Sequence, residues 1–293
     1  MKAKDLREKS VEDLEALLPV CRGAAQEAGE LIRGGFRKKL LVEHKGPVDL
    51  VTQFDRDSEA LVRRRLEEAL PFPIVGEESG GAGGGVAFYV DPIDGTTNFV
   101  HGHPFWCVSI GLVADGEPVL GVVVAPSLGL ELFGWVAANG ERRAVRRSAG
   151  NALLTPRGGG PCIVEQPCAV SSTAALEEAL LATGFPYDRR TSPDNNFDAF
   201  VAIKKRCQAV RRCGSAALDL CLVADGTYDG YWERKLRPWD VAAGIALVRA
   251  SGGRVTDGDG GANSIETGHV IATNGAIHDA LLRELATARS PRG

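Results

Sequence analysis

The sequence is poor in the features that mark several protein classes. It has one methionine, five histidines and 6% aromatic residues in 293. Basic charge is not in excess: 34 Lys and Arg stand against 38 Asp and Glu, a formal net charge of -4. A dedicated DNA or RNA binder usually carries a basic excess, so composition disfavours that class. No C-x-x-C pair occurs among the seven cysteines, which leaves zinc ribbons and thioredoxin-like redox sites unsupported. An odd number of thiols, scattered at 21, 107, 162, 168, 207, 213 and 221, reads as buried free cysteines in a reducing compartment. No G-x-x-x-x-G-K-[ST] segment is present. The Ser79–Gly85 run fails the G-x-G-x-x-G pattern, because Val86 stands where the last glycine belongs. The charged N-terminus, MKAKDLREKSVEDLE, has no apolar stretch of the signal-peptide kind. Val119–Ala138 is long enough to span a bilayer with only Glu131 charged. Its Pro126, its glycines and its Val122–Val124 core instead predict two strands meeting at Pro126–Gly129.

What the sequence does have is glycine: 36 residues, where average usage near 7% gives about 21. Without a G-x-y period this excess points to turns. The length supports a full core, as one large or two intimate domains. Ser10 to about Arg33 predicts a helix, with Ser10 and Asp13 in capping-box spacing and Pro19 marking a kink or a break into two helices. Thr52 is the predicted cap of a second helix, with Asp55 three residues on. Short strands follow, one stopping at Glu77 and one ending at Asp91, with Ser79–Gly85 as a mobile loop between them. The first half thus reads as a helix pair over a largely antiparallel sheet. Residues 139–170, with paired arginines at 142–147 and Gly158–Gly160, read as irregular connection. Beyond them strands and helices alternate, which predicts an α/β second half. The expected division is 1–148, an α+β half bearing the metal and phosphate motifs, and 149–293, an α/β half completing the site in one compact unit.

The strongest chemical signal is DPIDGTTNF, Asp91–Phe99. A strand delivers Asp91, Pro92 keeps the chain extended, and Asp94 follows three residues later. Gly95, Thr96 and Thr97 open a short helix whose free N–H groups suit an anion such as phosphate. Upstream, GEES places Glu77 and Glu78 at a strand end. Downstream, PWD places Asp240 in the first turn of a helix. Taken singly, Glu77 is an exposed turn acid and Asp240 a dipole-favoured helix-start acid. Together with Asp91 and Asp94 they form an acid cluster that would repel itself unless cations fill it. With no histidine pattern beside it, the natural occupant is oxygen-loving Mg²⁺, or Mn²⁺, rather than zinc. The weaker features read blandly. His101 and His103 are surface-loop histidines, Asp257–Gly261 is a hairpin turn, and the basic runs at 63–65, 142–147 and 204–206 are solvated faces.

DPIDGTTNF, GEES, DLVTQFD and PWDVAAG, in that spacing, resemble the inositol monophosphatase family. The resemblance covers about residues 17–290 and is closest to the bacterial SuhB-like branch, through ATGFPYD, RRCGSAALDL and LRPWDVAAG. It implies a layered αβαβα sandwich, commonly a dimer, hydrolysing phosphate monoesters with two to three Mg²⁺ ions per site and inhibited by lithium. It also implies roles. Glu77, Asp91, Asp94 and Asp240 match metal-binding carboxylates, and Ile93 matches a position ligating through its carbonyl. Gly95 and Thr96 match amides that bind phosphate, and Thr96 with Asp55 matches the pair handling the attacking water. Gly214, Ser215, Ala216 and Glu233 match the sugar-alcohol pocket, and Lys45 and Asp49 lie near the site. Two departures stand out: Lys45 is one residue closer to Asp49 than in many members, and the family's R-G-x-G-A-x-x-N-G turn is reduced to Ala137–Gly140.

The expected function is therefore a cytoplasmic, Mg²⁺-dependent phosphomonoesterase acting on myo-inositol monophosphate, as a homodimer without membrane attachment. Histidinol phosphate, fructose 1,6-bisphosphate and phosphoadenosine phosphate are alternative substrates within the superfamily. A SuhB-like regulatory partner in transcription or ribosome biogenesis, with RNA or the transcription machinery as partner, is the alternative from another class, unsupported by charge.

Overall fold

A computed structural model describes residues 10–46, 49–149, 163–262, 265 and 267–289. The chain runs α1 (Val11–Arg33), β1 (Val42–His44), β2 (Leu50–Thr52), α2 (Gln53–Ala69), β3 (Ile74–Gly76), β4 (Val86–Asp94), α3 (Thr96–Val100), β5 (Cys107–Ala114), β6 (Glu117–Ala125), β7 (Leu130–Val136), β8 (Arg142–Ala149) and β9 (Ile163–Pro167). It continues with β10 (Leu180–Thr183), α4 (Phe197–Lys204), β11 (Ala209–Arg211), α5 (Ala216–Ala224), β12 (Gly230–Glu233), α6 (Pro238–Ala250), β13 (Arg254–Thr256), β14 (Val270–Thr273) and α7 (His278–Arg289).

Strands β3 to β9 lie in chain order in one sheet, all antiparallel except β3 beside β4. A second, mixed sheet has the order β11-β10-β12-β14-β13, and β1 and β2 form a small hairpin. Period-two side chains explain how the layers stack. Val108, Ile110 and Leu112 of β5 join Leu120, Val122 and Val124 of β6 in packing under α1 and α2. Cys107, Val113 and Val123, on the opposite face, pack against α5 and α6. The second sheet covers the other side of α5 and α6, and α4 and α7 cover its outer face. The result is the layered αβαβα sandwich, and no helix among the described residues is long and apolar enough to cross a membrane. The apolar run 119–138 is β6 and β7, joined by a 3-10 turn at Pro126–Leu128. It is apolar throughout because both faces of the sheet are covered.

Ser10 caps α1, accepting from the Asp13 amide at 3.2 Å. The helix runs unbroken through Pro19 rather than dividing there. Its buried face, Leu14, Leu17, Leu18, Cys21, Ala24, Ala25, Ala28 and Ile32, continues across the proline. That packing outweighs the one hydrogen bond a proline removes. Three expectations are corrected. Residues 139–170 are not merely irregular: Arg142–Ala149 and Ile163–Pro167 are the last two strands of the first sheet. Strand β8 carries four arginines and buries only Ala144 and Val145, and β9 is exposed along its whole length, so sheet pairing rather than an alternating apolar face defines them. Gly158–Gly160 and Cys162 lie outside the described residues. Likewise β4 does not end at Asp91 but continues to Asp94 through an irregularity in register. The basic runs are not simply solvated. Arg65 pairs with Glu27, Arg143 with Glu15, Arg147 with Glu131 and Arg206 with Glu284.

Helix α6, which carries Asp240, lies unusually close to the first sheet. Gly111 and Gly121 are register partners on β5 and β6. A Cβ at Gly111 would stand 2.5 Å from the Ala243 nitrogen, and one at Gly121 2.3 Å from the Ala243 carbonyl oxygen. Both obstacles are backbone, which cannot swing aside. Gly121→Ala is therefore expected to lower unfolding free energy by about 1–3 kcal/mol, read as a shift of the urea midpoint at constant slope.

Candidate active site

The site assembles at element ends. The hairpin β1–β2 presents Lys45 and Asp49, closed by the Lys45 amide donating to the Asp49 carbonyl at 3.0 Å. Glu77 follows β3 directly, its N–H bonded to the Val90 carbonyl at 3.2 Å. The end of β4 delivers Asp91, Ile93 and Asp94, and Asp240 sits in the first turn of α6. Gly95 then turns the chain into α3 with φ 98°. This is a left-handed conformation open to glycine and strained for other residues. A Cβ there would also stand 3.0 Å from the Phe105 carbonyl oxygen. A cleft of about 830 Å³ is lined by all the predicted site residues except Asp55, which lies behind Thr96.

Asp55 is fully buried and caps its own helix: its Oδ2 accepts from the Thr52 amide at 2.8 Å and the Thr52 hydroxyl at 2.7 Å. Its Oδ1 is left to face Thr96, whose Oγ1 stands 3.0 Å away and also 2.9 Å from the Ile93 carbonyl oxygen. Thr96 has one hydroxyl proton for these two acceptors. Given to Asp55, that proton leaves Thr96 lone pairs free to accept from a water. Burial holds the Asp55 carboxyl above its usual range, against the hydrogen bonds from Thr52 and Thr96.

Each of the four clustered acids meets a protein donor. Glu77 accepts from Lys45 Nζ at 2.9 Å, and Lys45 also bonds Glu78. Asp91 Oδ1 accepts from the Ile93 amide at 3.0 Å, and Asp240 Oδ2 from the Arg237 amide at 2.7 Å. Asp94 Oδ2 accepts from Ser215 Oγ at 2.7 Å and the Ala217 amide at 2.6 Å, and its Oδ1 from the Ala216 amide at 3.3 Å. The start of α5 is thus fastened to the end of β4. These donors do not offset the crowding. Burial, then the charges of Glu77, Asp94 and Asp240, push Asp91 well above the carboxylate range. Burial and Glu77 do the same to Asp240. Burial lifts Glu77 to about 7 despite Lys45, and Asp94 to about 6 despite Ser215 and the amides. Burial tends to lower the Lys45 ammonium, but Glu77 and Glu78 outweigh it and hold it raised.

Among the described residues, no three acidic, histidine or cysteine side chains close on one point as a ready cage. The donor set still suits a hard cation: four carboxylates and the Ile93 carbonyl, all oxygen, with mutual repulsion that a divalent ion would relieve. Across the cleft, Glu233 accepts from the Tyr231 hydroxyl. The bare Cα of Gly184 makes room for that carboxylate, since a Cβ would stand 2.0 Å from Glu233 Oε2. His101 is exposed on the cleft wall. Sequence reasoning does not single out Asn98, Tyr187 or Arg212. Asn98 Nδ2 donates to the Phe105 and Cys213 carbonyls at 2.7 and 2.9 Å, tying α3 to the Gly214 loop. Its partners are up to 115 residues away, although the residue sits inside the most legible motif. Tyr187 and Arg212 line the cleft from within ATGFPYD and RRCGSAALDL, stretches that carry the resemblance without giving either residue a role.

Glu233, across the cleft, gives a pH test. Burial raises its pKa to about 7 against an ordinary 4.5, with Tyr231 and Arg212 opposing. Between these values the folded state binds more protons than the unfolded, so stability falls as pH rises. Without divalent ions, melting temperature is expected to drop from pH 5 to pH 8, and Glu233→Gln to flatten that slope.

The inositol monophosphatase family model matches residues 13–290. An inositol-1-monophosphatase of Synechocystis is 40% identical over 94% of this chain and 91% of its own length. The Nus factor SuhB of Pseudomonas aeruginosa is 36% identical over 92% and 95%. The solved inositol monophosphatase of Anabaena superposes with a TM-score of 0.78 at 39% identity, covering 94% of this chain and 97% of that one. A matched family model, a shared fold and an oxygen-rich cleft agree: this chain belongs to the inositol monophosphatase family and is a phosphatase enzyme.

Proposed function

We propose that the chain is a Mg²⁺-dependent phosphomonoesterase that hydrolyses myo-inositol monophosphate to inositol and phosphate. The observation that carries this reading is the meeting of Glu77, Asp91, Asp94 and Asp240 beside the Thr96–Asp55 pair. Glu77, Asp91, the Ile93 carbonyl, Asp94 and Asp240 would hold two to three Mg²⁺ ions, with Mn²⁺ as a substitute. When bound, such ions supply a more acidic water and positive charge beside the phosphoryl oxygens. Thr96 accepts a proton from the attacking water and passes its own to Asp55, whose Oδ1 faces it. The amides of Gly95 and Thr96 orient the phosphoryl group for in-line attack. Asp240 orients the water that protonates the departing alkoxide. Gly214, Ser215, Ala216 and Glu233 form the polyol pocket, where Glu233 accepts from substrate hydroxyls. Lys45, held between Glu77 and Glu78, and Asp49 stand at the entrance.

The reading includes a cytoplasmic homodimer acting on a small phosphorylated polyol. A second reading rests on the similarity to the Pseudomonas protein named as a Nus factor: a regulatory partner of transcription or ribosome biogenesis. Asp94→Asn separates the two, since a regulatory role persists when phosphatase activity is lost.

The test is phosphate release with Mg²⁺ from inositol-1-phosphate, histidinol phosphate, fructose 1,6-bisphosphate and phosphoadenosine phosphate. The highest kcat/KM is expected on inositol-1-phosphate, with lithium inhibiting. Thr96→Ala is expected to lower kcat by about 10²–10⁴-fold. No release from any of the four overturns the phosphatase mechanism described here.

A further inference from the structure

Helix α2 carries more than Asp55. Asp55, Ser58, Glu59 and Arg63 follow three- and four-residue steps, so they stack along one side of the helix. The first two reach the Asp91–Thr96 segment: Asp55 meets Thr96, and Ser58 Oγ donates to the Pro92 carbonyl at 3.2 Å. The next two reach the other acid-bearing segment. Glu59, only 2% exposed, accepts from the Glu78 amide at 2.7 Å, the Ser79 amide at 3.0 Å and the Ser79 hydroxyl. Arg63 donates to the Ile74 and Gly80 carbonyls at 3.2 and 3.0 Å and to Ser79 Oγ at 2.7 Å. Gly76 makes the approach possible, since a Cβ there would stand 2.4 Å from Glu59 Cδ.

One face of one helix therefore grips both segments that bring acids to the cleft. Glu59 does not reach the cleft itself. Its oxygens are taken up by the turn that begins at Glu77, and a buried carboxylate without such donors would be costly. On its other side, Glu77 is bonded through its N–H to Val90 of β4. The Glu77 backbone is thus pinned between β4 and the turn that α2 holds.

We propose that Glu59 is a positioning residue: by clamping the Glu78–Ser79 turn onto α2, it sets Glu77 at the right distance from Asp91 and Asp94. This rests on the metal-dependent phosphatase reading and makes Glu59 a determinant of cation affinity that never touches the cation. Outer partners of metal-binding groups typically contribute about 10–100-fold in affinity.

The full chain, Glu59→Gln and Ser79→Ala are titrated with Mn²⁺ by electron paramagnetic resonance and assayed with inositol-1-phosphate over a range of Mg²⁺. Glu59→Gln keeps the size but turns an N–H₂ toward amide donors. It is expected to weaken Mn²⁺ binding about tenfold or more and to raise half-activating Mg²⁺ by the same factor. KM at saturating Mg²⁺ stays put, which separates metal positioning from a damaged substrate pocket. Ser79→Ala alters only an exposed turn and is expected to shift both readouts the same way by about threefold. It decides the matter if Glu59→Gln does not fold. Wild-type Mn²⁺ affinity in the folded variants overturns the positioning role and leaves the phosphatase reading intact. A wild-type chain that binds no Mn²⁺ and releases no phosphate overturns that reading, and the positioning role with it.

Discussion

Four carboxylates repel one another in a half-closed cleft, and the rest of the fold is arranged to hold them there. Asp91 feels the charges of Glu77, Asp94 and Asp240 at once. Two carboxyls this close favour sharing protons over ionising together. Lys45 relieves Glu77, whereas Asp91 accepts from the Ile93 amide and, among the described residues, has no side-chain cation bonded to it. An arrangement of this kind is costly as structure and sensible as chemistry, because the repulsion that destabilises the chain raises its affinity for a divalent ion.

Holding the acids falls to elements whose ends meet at the cleft. The apolar strands β5 and β6 are covered on both faces, and glycines at 111 and 121 let α6 settle against them. That close approach fixes where α6 begins, and so where Asp240 stands. Asp94 is fastened to the start of α5 through Ser215 and two amides, which joins the first sheet to the helix layer behind it. Asp55 links helix capping to proton handling, since one oxygen caps α2 and the other meets Thr96.

Much of this was legible because it is local. Ser10 with Asp13, Thr52 with Asp55 and the Asp91–Phe99 motif are short-range signals: the structure places both caps at the expected helix starts, and the motif at the end of β4, three residues later than expected. The alternation of elements pointed to an α/β second half, and the αβαβα layering followed from the family resemblance. What could not be read depends on distant partners. Strand β8 carries four arginines and buries only Ala144 and Val145, and β9 is exposed along its whole length, so neither shows an alternating apolar face and their membership of the sheet lies in pairing with β7 and with each other. Glu59 looks like any helix acid until the turn nineteen residues away closes over it. Asn98 is silent until the Cys213 loop arrives. Pro19 misleads for the same reason, because the packed face that carries α1 through it lies on other elements.

Whether these acids hold a cation can be measured directly. The direct measurement is a crystal structure of the protein grown with Mn²⁺, with anomalous scattering recorded at the manganese edge. Anomalous peaks are expected among Glu77, Asp91, Asp94 and Asp240, with the Ile93 carbonyl turned toward one of them. A fully Mn²⁺-equilibrated crystal with no peak among those residues would contradict that expectation.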